Sequence, residues 1–230
     1  MLEKIKRDLK NLADKNKIPI YQNFFKTSQG QYGEGDIFIG VSVPNTRKIA
    51  EKYSNINLKT ISELLDSKIH EERLLGVLIL VQKYQKTKED EIPKFYLKHN
   101  KKINNWDLVD LSADKILGKY YFNKSKEDLY KLAYSENIWE RRTSIIATFH
   151  FIKNNQFEDT IKISKILLKD NHDLIQKAVG WMLREIGKRN LKVLEDFLKK
   201  NYKNMPRTML RYSIEKFPEE KRQMYLKGRI

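Results

Sequence analysis

One segment of the chain places a carboxylate where an apolar contact would be expected. The segment NNWDLVDLSADKILG, residues 104–118, has the periodicity of an amphipathic helix and puts Asp110 one turn after Trp106. On a helical wheel Asp110 lies at the edge of the apolar arc, whereas Asp107 and Asp114 lie further out and are predicted to be solvated. A carboxylate at an apolar margin is costly unless it is paired or used. It could stabilise positive charge on a substrate, or it could bond to a neighbouring helix or loop amide.

A second segment, NIWERRTSIIATFHFI, places an arginine on its apolar side. Arg142 points into the arc that contains Trp139 and Ile145, while Arg141 points away and is predicted to be a surface charge. Because a guanidinium keeps its charge, a buried one needs a carboxylate or a phosphate to hold. The sequence leaves both partners open: a phosphate of a ligand, or an aspartate that joins two helical repeats.

A third segment, HDLIQKAVGWMLREIGKR, shows the reverse anomaly. Trp181 lies off the core stripe, in an arc shared with Lys177, Arg184 and Lys188. A large aromatic ring among three cations favours stacking or a cation–π contact with a partner. The alternative is a ring that caps the edge of the core under lysine stems; the first interpretation is preferred.

These segments belong to a chain that is predicted to be helical almost throughout. Comparable amphipathic helices begin near His70, Trp106, Ile138, His172 and Met205, at intervals of roughly 32–36 residues. This repeat predicts an all-α fold, an α-α superhelix (α-solenoid) of HEAT-like repeats with a concave basic groove, in one domain over residues 1–230. The stretch Gly30–Gly40 lacks a GK[ST] motif and is predicted to be a loop, not a phosphate cradle.

Composition limits the function. The 46 Lys and Arg against 30 Asp and Glu give a net charge of +16, which favours a polyanionic partner, nucleic acid first. The chain has no cysteine and four dispersed histidines, so we expect no metal and no cofactor. No segment approaches the ~20 apolar residues of a bilayer span. We therefore expect a cytoplasmic monomer without a membrane partner.

The motifs NNWDLVD, NIWERRTSI and IQKAVGWMLRE, in this order and spacing, resemble those of the HEAT-like-repeat DNA alkylation repair glycosylases of the AlkD family. The resemblance extends from about FIGVSVPNTRKIA to MPRTMLRYSIEKFP, which is most of the chain. It implies a right-handed helical solenoid that holds double-stranded DNA in a concave basic groove and releases N3- and N7-alkylated purines.

The resemblance also implies roles for particular residues. Asp110 matches the catalytic aspartate, Trp106 and Trp181 match the tryptophans at the lesion, and Arg142 matches the arginine that supports the backbone beside it. The family has a polar pair before the proline of its second repeat, but this chain has Ser42 and Val43, and its GQYGEGD insert is longer than expected. The expected DNA-binding residues are Ser42, Arg47, Lys177, Arg184, Lys188 and Arg211.

The expected chemistry needs little acid catalysis. An N3- or N7-alkylated purine is already cationic, so it can leave without protonation, which suits a site without histidine. A carboxylate near C1′ would stabilise the oxocarbenium-like sugar and orient the attacking water. The resemblance implies that the lesion stays near the duplex. The main alternative is a non-catalytic HEAT-repeat protein that binds branched or distorted DNA; a scaffold for an acidic protein is a more distant one.

Overall fold

The structure is a computed structural model that describes all 230 residues. It is all-α: its only β contact is an isolated parallel bridge between Ile37 and Ile69. The chain forms two compact units, Met1–Ser112 and Ala113–Ile230. The prediction of one undivided domain over residues 1–230 stays a prediction.

The first unit is built around a long helix that is buried on all sides. Its helices are α1 (Leu2–Lys10), α2 (Ile18–Phe24), α3 (Val43–Lys52), α4 (Leu58–Leu65), α5 (His70–Thr87), α6 (Glu91–Lys98) and α7 (Trp106–Asp110), with short 3₁₀ turns at Lys15–Lys17 and Asn100–Lys102. Every residue of α5 from His70 to Val81 is buried, as expected for a helix covered on all faces. Gly76 lets α4 approach closely, since a Cβ there would lie 3.2 Å from the Cβ of Leu64.

The glycine-rich segment is a loop, as predicted, and it is anchored on α5. The Glu71 carboxylate accepts hydrogen bonds from the backbone N–H groups of Ile39, Gly40 and Val41, at 2.8–3.2 Å. Gly40 has φ +83°, and a Cβ there would lie 2.0 Å from the carbonyl oxygen of Asp14. Only glycine fits that position. These loop amides therefore bind a carboxylate of the protein itself.

The second unit is built around α13, which packs on α10 and α15. Its helices are α8 (Lys119–Tyr121), α9 (Glu127–Ala133), α10 (Ile138–Ala147), α11 (Phe149–Lys153), α12 (Glu158–Ile166), α13 (Asp173–Arg189), α14 (Leu191–Asn201), α15 (Arg207–Ser213) and α16 (Glu219–Leu226), with a 3₁₀ turn at Tyr202–Asn204. The predicted core stripe of α13, from Ile175 to Ile186, is confirmed, since its apolar residues are fully buried. Gly180 brings α13 against α15, where an added Cβ would lie 2.6 Å from the Met209 carbonyl oxygen.

Helix starts follow the predicted repeat. α5, α7 and α10 begin at His70, Trp106 and Ile138, as expected from the sequence. Side chains cap three of the repeat-opening helices: Asn105 accepts from the N–H of Trp106 at 2.8 Å, Asn137 from that of Trp139 at 2.8 Å, and His172 from that of Leu174 at 3.2 Å.

The helix predicted to continue after Trp106 is interrupted. α7 ends at Asp110, and a wide π turn follows at Asp114–Gly118, in which the Gly118 N–H donates to the Ala113 carbonyl at 2.9 Å. Gly118 lies against α10, where a Cβ would be 2.3 Å from the Ala147 carbonyl oxygen. A π turn adds a residue to the helical repeat, so one helical wheel cannot describe residues on both sides of it.

Candidate active site

The first unit contains an aromatic cavity of about 330 Å³, and two of the residues predicted to act in catalysis line it. Trp106 and Asp110, at the two ends of α7, both contribute to its wall, and both side chains are half-buried. The position of Asp110 at the margin of the apolar side agrees with the wheel. The complete lining is Tyr21, Phe24, Phe25, Phe38, Val41, Val43, His70, Glu71, Leu74, Trp106, Asp107, Asp110 and Leu111.

Aromatic rings from the end of α2, from the glycine-rich loop and from the start of α7 form a stack along this cavity. Phe25 stacks on Phe38 at a centroid distance of 5.0 Å and on Trp106 at 5.3 Å, with planes within 20° in both cases. Phe24 meets Trp106 edge to face at 5.6 Å and is 60% exposed. One face of the Trp106 indole is thus already covered by Phe25. Neither phenylalanine is among the site residues predicted from the sequence.

Behind the cavity lies a network of buried charges centred on His70. Its Nε2 is 2.8 Å from the Asp107 carboxylate and its Nδ1 is 3.4 Å from that of Asp36. Arg73 donates to Asp36 at 2.7 Å, and Asn105, the cap of α7, donates to Asp36 at 3.2 Å. This network joins the glycine-rich loop, α5 and the start of α7, and so fixes the helix that carries Trp106 and Asp110.

The network also determines the charge of the histidine. Burial by itself would lower the pKa of His70, but the Asp107 carboxylate and hydrogen bonds to Asp107 and Asp36 outweigh burial and raise that pKa to about 9. Burial likewise opposes ionisation of Asp36, yet the hydrogen bond from His70 and the Arg73 charge hold its pKa below its usual value. His70 is therefore an imidazolium ion near neutral pH.

Two predictions about this region were wrong. The expected site has no histidine, whereas His70 lines the cavity. Asp107 and Asp114 are predicted to be solvated, whereas they are 6% and 3% exposed. Asp107 pairs with His70, and Asp114 accepts from Lys153 at 2.7 Å. Both aspartates lie on the polar side of the helical wheel, but other helices cover that side and place His70 and Lys153 beside them.

In the second unit, Arg142 is buried, as predicted, at 5% exposure. Its Nη1 donates to the carbonyl oxygen of Leu174 at 2.6 Å, which links α10 to the first turn of α13. The prediction for its neighbour was wrong. Arg141 is mostly covered: its Nε donates to Asp170 at 2.7 Å, and its Nη1 donates to two backbone carbonyls. The arginine–aspartate pair between repeats therefore exists, but Arg141 makes it with Asp170.

Trp181 is half-buried beside the core stripe, as the wheel indicated. Its ring centroid is 5.7 Å from that of Phe149, and its Nε1 donates to Glu185 at 3.2 Å. Glu185 also accepts from Lys188 at 2.7 Å and lies 3.6 Å from the Nε of Arg184. Glu185, which is not among the residues predicted from the sequence, thus contacts the indole and two of its neighbouring cations.

The remaining predicted DNA contacts are divided between the two units. Lys177 and Arg211 line one polar cavity of the second unit, about 480 Å³ in volume, together with Arg222 and Glu215. Glu215 also accepts a hydrogen bond from the guanidinium of Arg184. In the first unit, Arg47 is exposed on α3, and Ser42 precedes that helix and accepts the N–H of Thr46 through its carbonyl oxygen.

The structure thus brings Trp106 and Asp110 together in one unit, and groups Trp181, Arg184 and Lys188, as well as Lys177 and Arg211, in the other. No group of three or more His, Cys, Asp or Glu side chains has the arrangement of a metal site. None of the helices combines the length and hydrophobicity needed to cross a membrane.

Comparisons with known proteins identify the family. The model of the DNA alkylation repair enzyme family matches residues 5–217. A solved structure described as a predicted DNA alkylation repair enzyme from Enterococcus faecalis superposes with a TM-score of 0.72 at 16% identity, over 90% of this chain and 97% of that chain. At this identity the likeness shows the fold alone, and it confirms the predicted all-α, helical-repeat fold class. No curated protein matches the sequence. Because the family model spans nearly the whole chain, the protein belongs to the DNA alkylation repair enzyme family.

Proposed function

We propose that this protein is a monofunctional DNA glycosylase that hydrolyses the N-glycosidic bond of N3- or N7-alkylated purines in double-stranded DNA. Family membership supports a role in the repair of alkylated DNA. The observation that carries the finer proposal is the Asp110 carboxylate in the wall of an aromatic cavity, one helical turn from Trp106.

The chemistry uses the charge that alkylation has already placed on the base. When the bond between C1′ and the purine nitrogen breaks, its electron pair leaves with the base and neutralises it, and the sugar becomes oxocarbenium-like. Asp110 stabilises that positive charge and orients a water molecule, whose oxygen bonds to C1′ while its proton passes to solvent. The leaving base needs no general acid, so His70, although protonated, is not required as a proton donor in this scheme.

The rest of the proposed interface is electrostatic. Arg142 and Trp181 would contact the DNA beside the lesion, and Ser42, Arg47, Lys177, Arg184, Lys188 and Arg211 would contact the backbone. Backbone contacts hold the duplex in register without reading its sequence. The net charge of +16 supports such binding.

One observation favours the alternative, a non-catalytic protein that binds branched or distorted DNA. Phe25 covers one face of Trp106, so that face cannot contact a lesion unless Phe25 moves. The alternative leaves Asp110 without a role in binding, because a carboxylate near phosphates weakens affinity.

Single-turnover excision from a duplex with one N7-methylguanine separates the two functions. We expect the wild-type protein to release free 7-methylguanine and Asp110→Asn to be slower by about 10²–10³-fold, the cost of losing a main electrostatic contact to the transition state. Duplex affinity should change little. Asp66→Asn, at an exposed aspartate that pairs with Lys102 at 2.9 Å, is the matched control and should behave as wild type. Tight binding without release by any of the proteins would favour the non-catalytic alternative.

A further inference from the structure

We propose that α2 is an additional, apolar DNA contact, which packs Ile20 and Phe24 against the sugar edges of the minor groove beside the lesion. The inference deepens the proposed function and rests on it for the position of the duplex. Helix α2 precedes the segments that carry the family resemblance, so the resemblance assigns it no role. The residues already proposed to contact the DNA backbone are polar or charged, whereas this contact is apolar.

Helix α2 is apolar and yet uncovered. Its sequence, IPIYQNF, is mostly apolar or aromatic, but none of its residues is buried. Ile20 is 63% exposed and Phe24 is 60% exposed, and residues four positions apart lie on the same face of a helix. A neighbouring face attaches α2 to the rest of the unit, since Tyr21 meets Phe38 edge to face at 6.0 Å. The face with Ile20 and Phe24 is therefore left for a partner.

The exposed face of α2 adjoins the candidate active site. Phe24 meets Trp106 at 5.6 Å, and Trp106 lines the same cavity as Asp110. In the proposed reaction, Asp110 must approach C1′ of the damaged nucleotide. The C1′ atoms of a duplex line its minor groove, so a carboxylate that reaches C1′ while the lesion stays in the duplex approaches from that groove. Phe24, beside Trp106, then faces the sugars along the same groove.

The spacing of the two side chains suits a duplex. Four residues of an α-helix rise about 6 Å, which is close to two base-pair steps of about 3.4 Å each. Ile20 and Phe24 can thus contact sugars about two nucleotides apart. Apolar side chains are the ones that proteins commonly place against the minor groove beside a binding site.

The charges around α2 suit a polyanion. Lys15 and Lys17 precede the helix and Lys26 follows it, and Lys15 and Lys26 are exposed. The acid beside them, Asp14, accepts the N–H of Asn16 and lies 3.4 Å from Lys17. Cations on both sides of an apolar face match phosphates on both sides of a groove. Membership of the DNA alkylation repair enzyme family favours DNA over an anionic membrane surface as this polyanion.

Duplex affinity at several salt concentrations tests the contact. We expect Ile20→Ser to weaken binding about tenfold, the loss expected when an apolar contact is removed. The salt slope should stay that of wild type, because an apolar contact releases no counterions. Ile20→Leu keeps the apolar surface and should bind as wild type. Leu191→Ser is the matched control, because Leu191 is an apolar residue of the second unit that is 51% exposed.

Photochemical crosslinking locates the contact on the DNA. Because the chain has no cysteine, Ile20→Cys provides a single attachment point for a photoreactive benzophenone, which reacts with C–H bonds such as those of deoxyribose. We expect crosslinks near the lesion, displaced in the 3′ direction between the two strands as the minor groove requires. Leu191→Cys, labelled in the same way, should give none.

Three outcomes would overturn the inference. They are equal duplex affinity of wild type and Ile20→Ser, a salt slope reduced by Ile20→Ser, and crosslinks from position 20 to a second copy of the protein instead of DNA. The same would follow if Ile20→Ser lost binding to anionic lipid vesicles but kept its duplex affinity.

Excision assays on the same proteins keep the two proposals distinguishable. If the wild type releases 7-methylguanine and Ile20→Ser binds and excises equally well, the α2 contact is wrong and the glycosylase proposal stands. If Ile20→Ser weakens binding and position 20 crosslinks to the minor groove, but no protein releases a base, the α2 contact stands and the glycosylase proposal fails.

Discussion

Two groups of charged side chains, one in each unit, differ in how deeply they are buried. In the first unit His70, Arg73, Asp36 and Asp107 form a network in which every side chain is less than a tenth exposed. On α13 of the second unit, the pairs Lys177–Asp173, Arg184–Glu215 and Lys188–Glu185 each include a side chain that is about two-fifths or more exposed. A buried network can fix geometry because water does not compete for its members. An exposed pair contributes little to stability, and its cation can exchange a carboxylate for a phosphate.

The largest expected effect comes from removing one carboxylate of the buried network. Asp107→Asn leaves the His70 imidazolium without its nearest counter-charge, and breaking a buried pair in this way should lower the free energy of unfolding by about 3–5 kcal/mol. Asp173→Asn, at the exposed partner of Lys177, should change it by no more than about 1 kcal/mol. Urea denaturation of both variants measures the difference.

Similar losses of unfolding free energy from the two substitutions would contradict the contrast between the buried network and the exposed pairs. A small loss from Asp107→Asn would mean that Asp36 alone neutralises His70. The role of the network in holding α7 would then rest on Asn105 and Asp36.

The next effect is a pH dependence confined to the first unit's network. The pKa of His70 rises from 6.5 in the unfolded chain to about 9 in the folded protein, so its contribution is complete below pH 6.5 and is lost as the pH rises through about 9. A shift of this size corresponds to about 3 kcal/mol at 1.36 kcal/mol per pKa unit. Urea unfolding at a series of pH values between these limits measures it. His70→Gln, which cannot titrate, should be less stable than wild type at low pH and should show a flatter profile. If the two profiles keep the same slope, the pH dependence arises elsewhere.

Much of the fold could be predicted because each helix carries its own apolar period and cap. The starts of α5, α7 and α10, the core stripe of α13 and the loop before Pro44 all follow from local patterns. The half-buried positions of Asp110 and Trp181 are local as well, since each lies beside the apolar side of its own helix.

The wrong predictions concern residues whose hydrogen-bond or ring partners lie far away in the sequence. A helical wheel shows which side of a helix is polar, but not whether another element covers that side. Asp107 meets His70 from 37 residues earlier, and Asp114 meets Lys153 from 39 residues later. Phe24 and Phe25, at the end of α2, meet Trp106 from about 80 residues earlier in the chain. Phe38 joins the stack through Phe25, from a loop that Glu71 and Asp36 hold against α5 and α7. The run of aromatic residues before the loop was the available signal.

The smallest effects are expected on the exposed side of α13, and they should appear in DNA binding before they appear in stability. Arg184→Ala and Lys188→Ala each remove one cation that can exchange Glu215 or Glu185 for a phosphate. Each should reduce the salt dependence of duplex binding by about one phosphate. Lys188 is 43% exposed, so Lys188→Ala should change the free energy of unfolding by no more than about 1 kcal/mol. Affinity measured at several salt concentrations gives the slope. Lys192→Ala is the matched control. Lys192 lies on the next helix, α14, and forms an ion pair with Asp196, so its loss should leave the slope unchanged. If Arg184→Ala destabilised the chain as strongly as Asp107→Asn, or if the slopes of all three variants equalled that of wild type, these cations would have a structural role and the DNA would contact another surface.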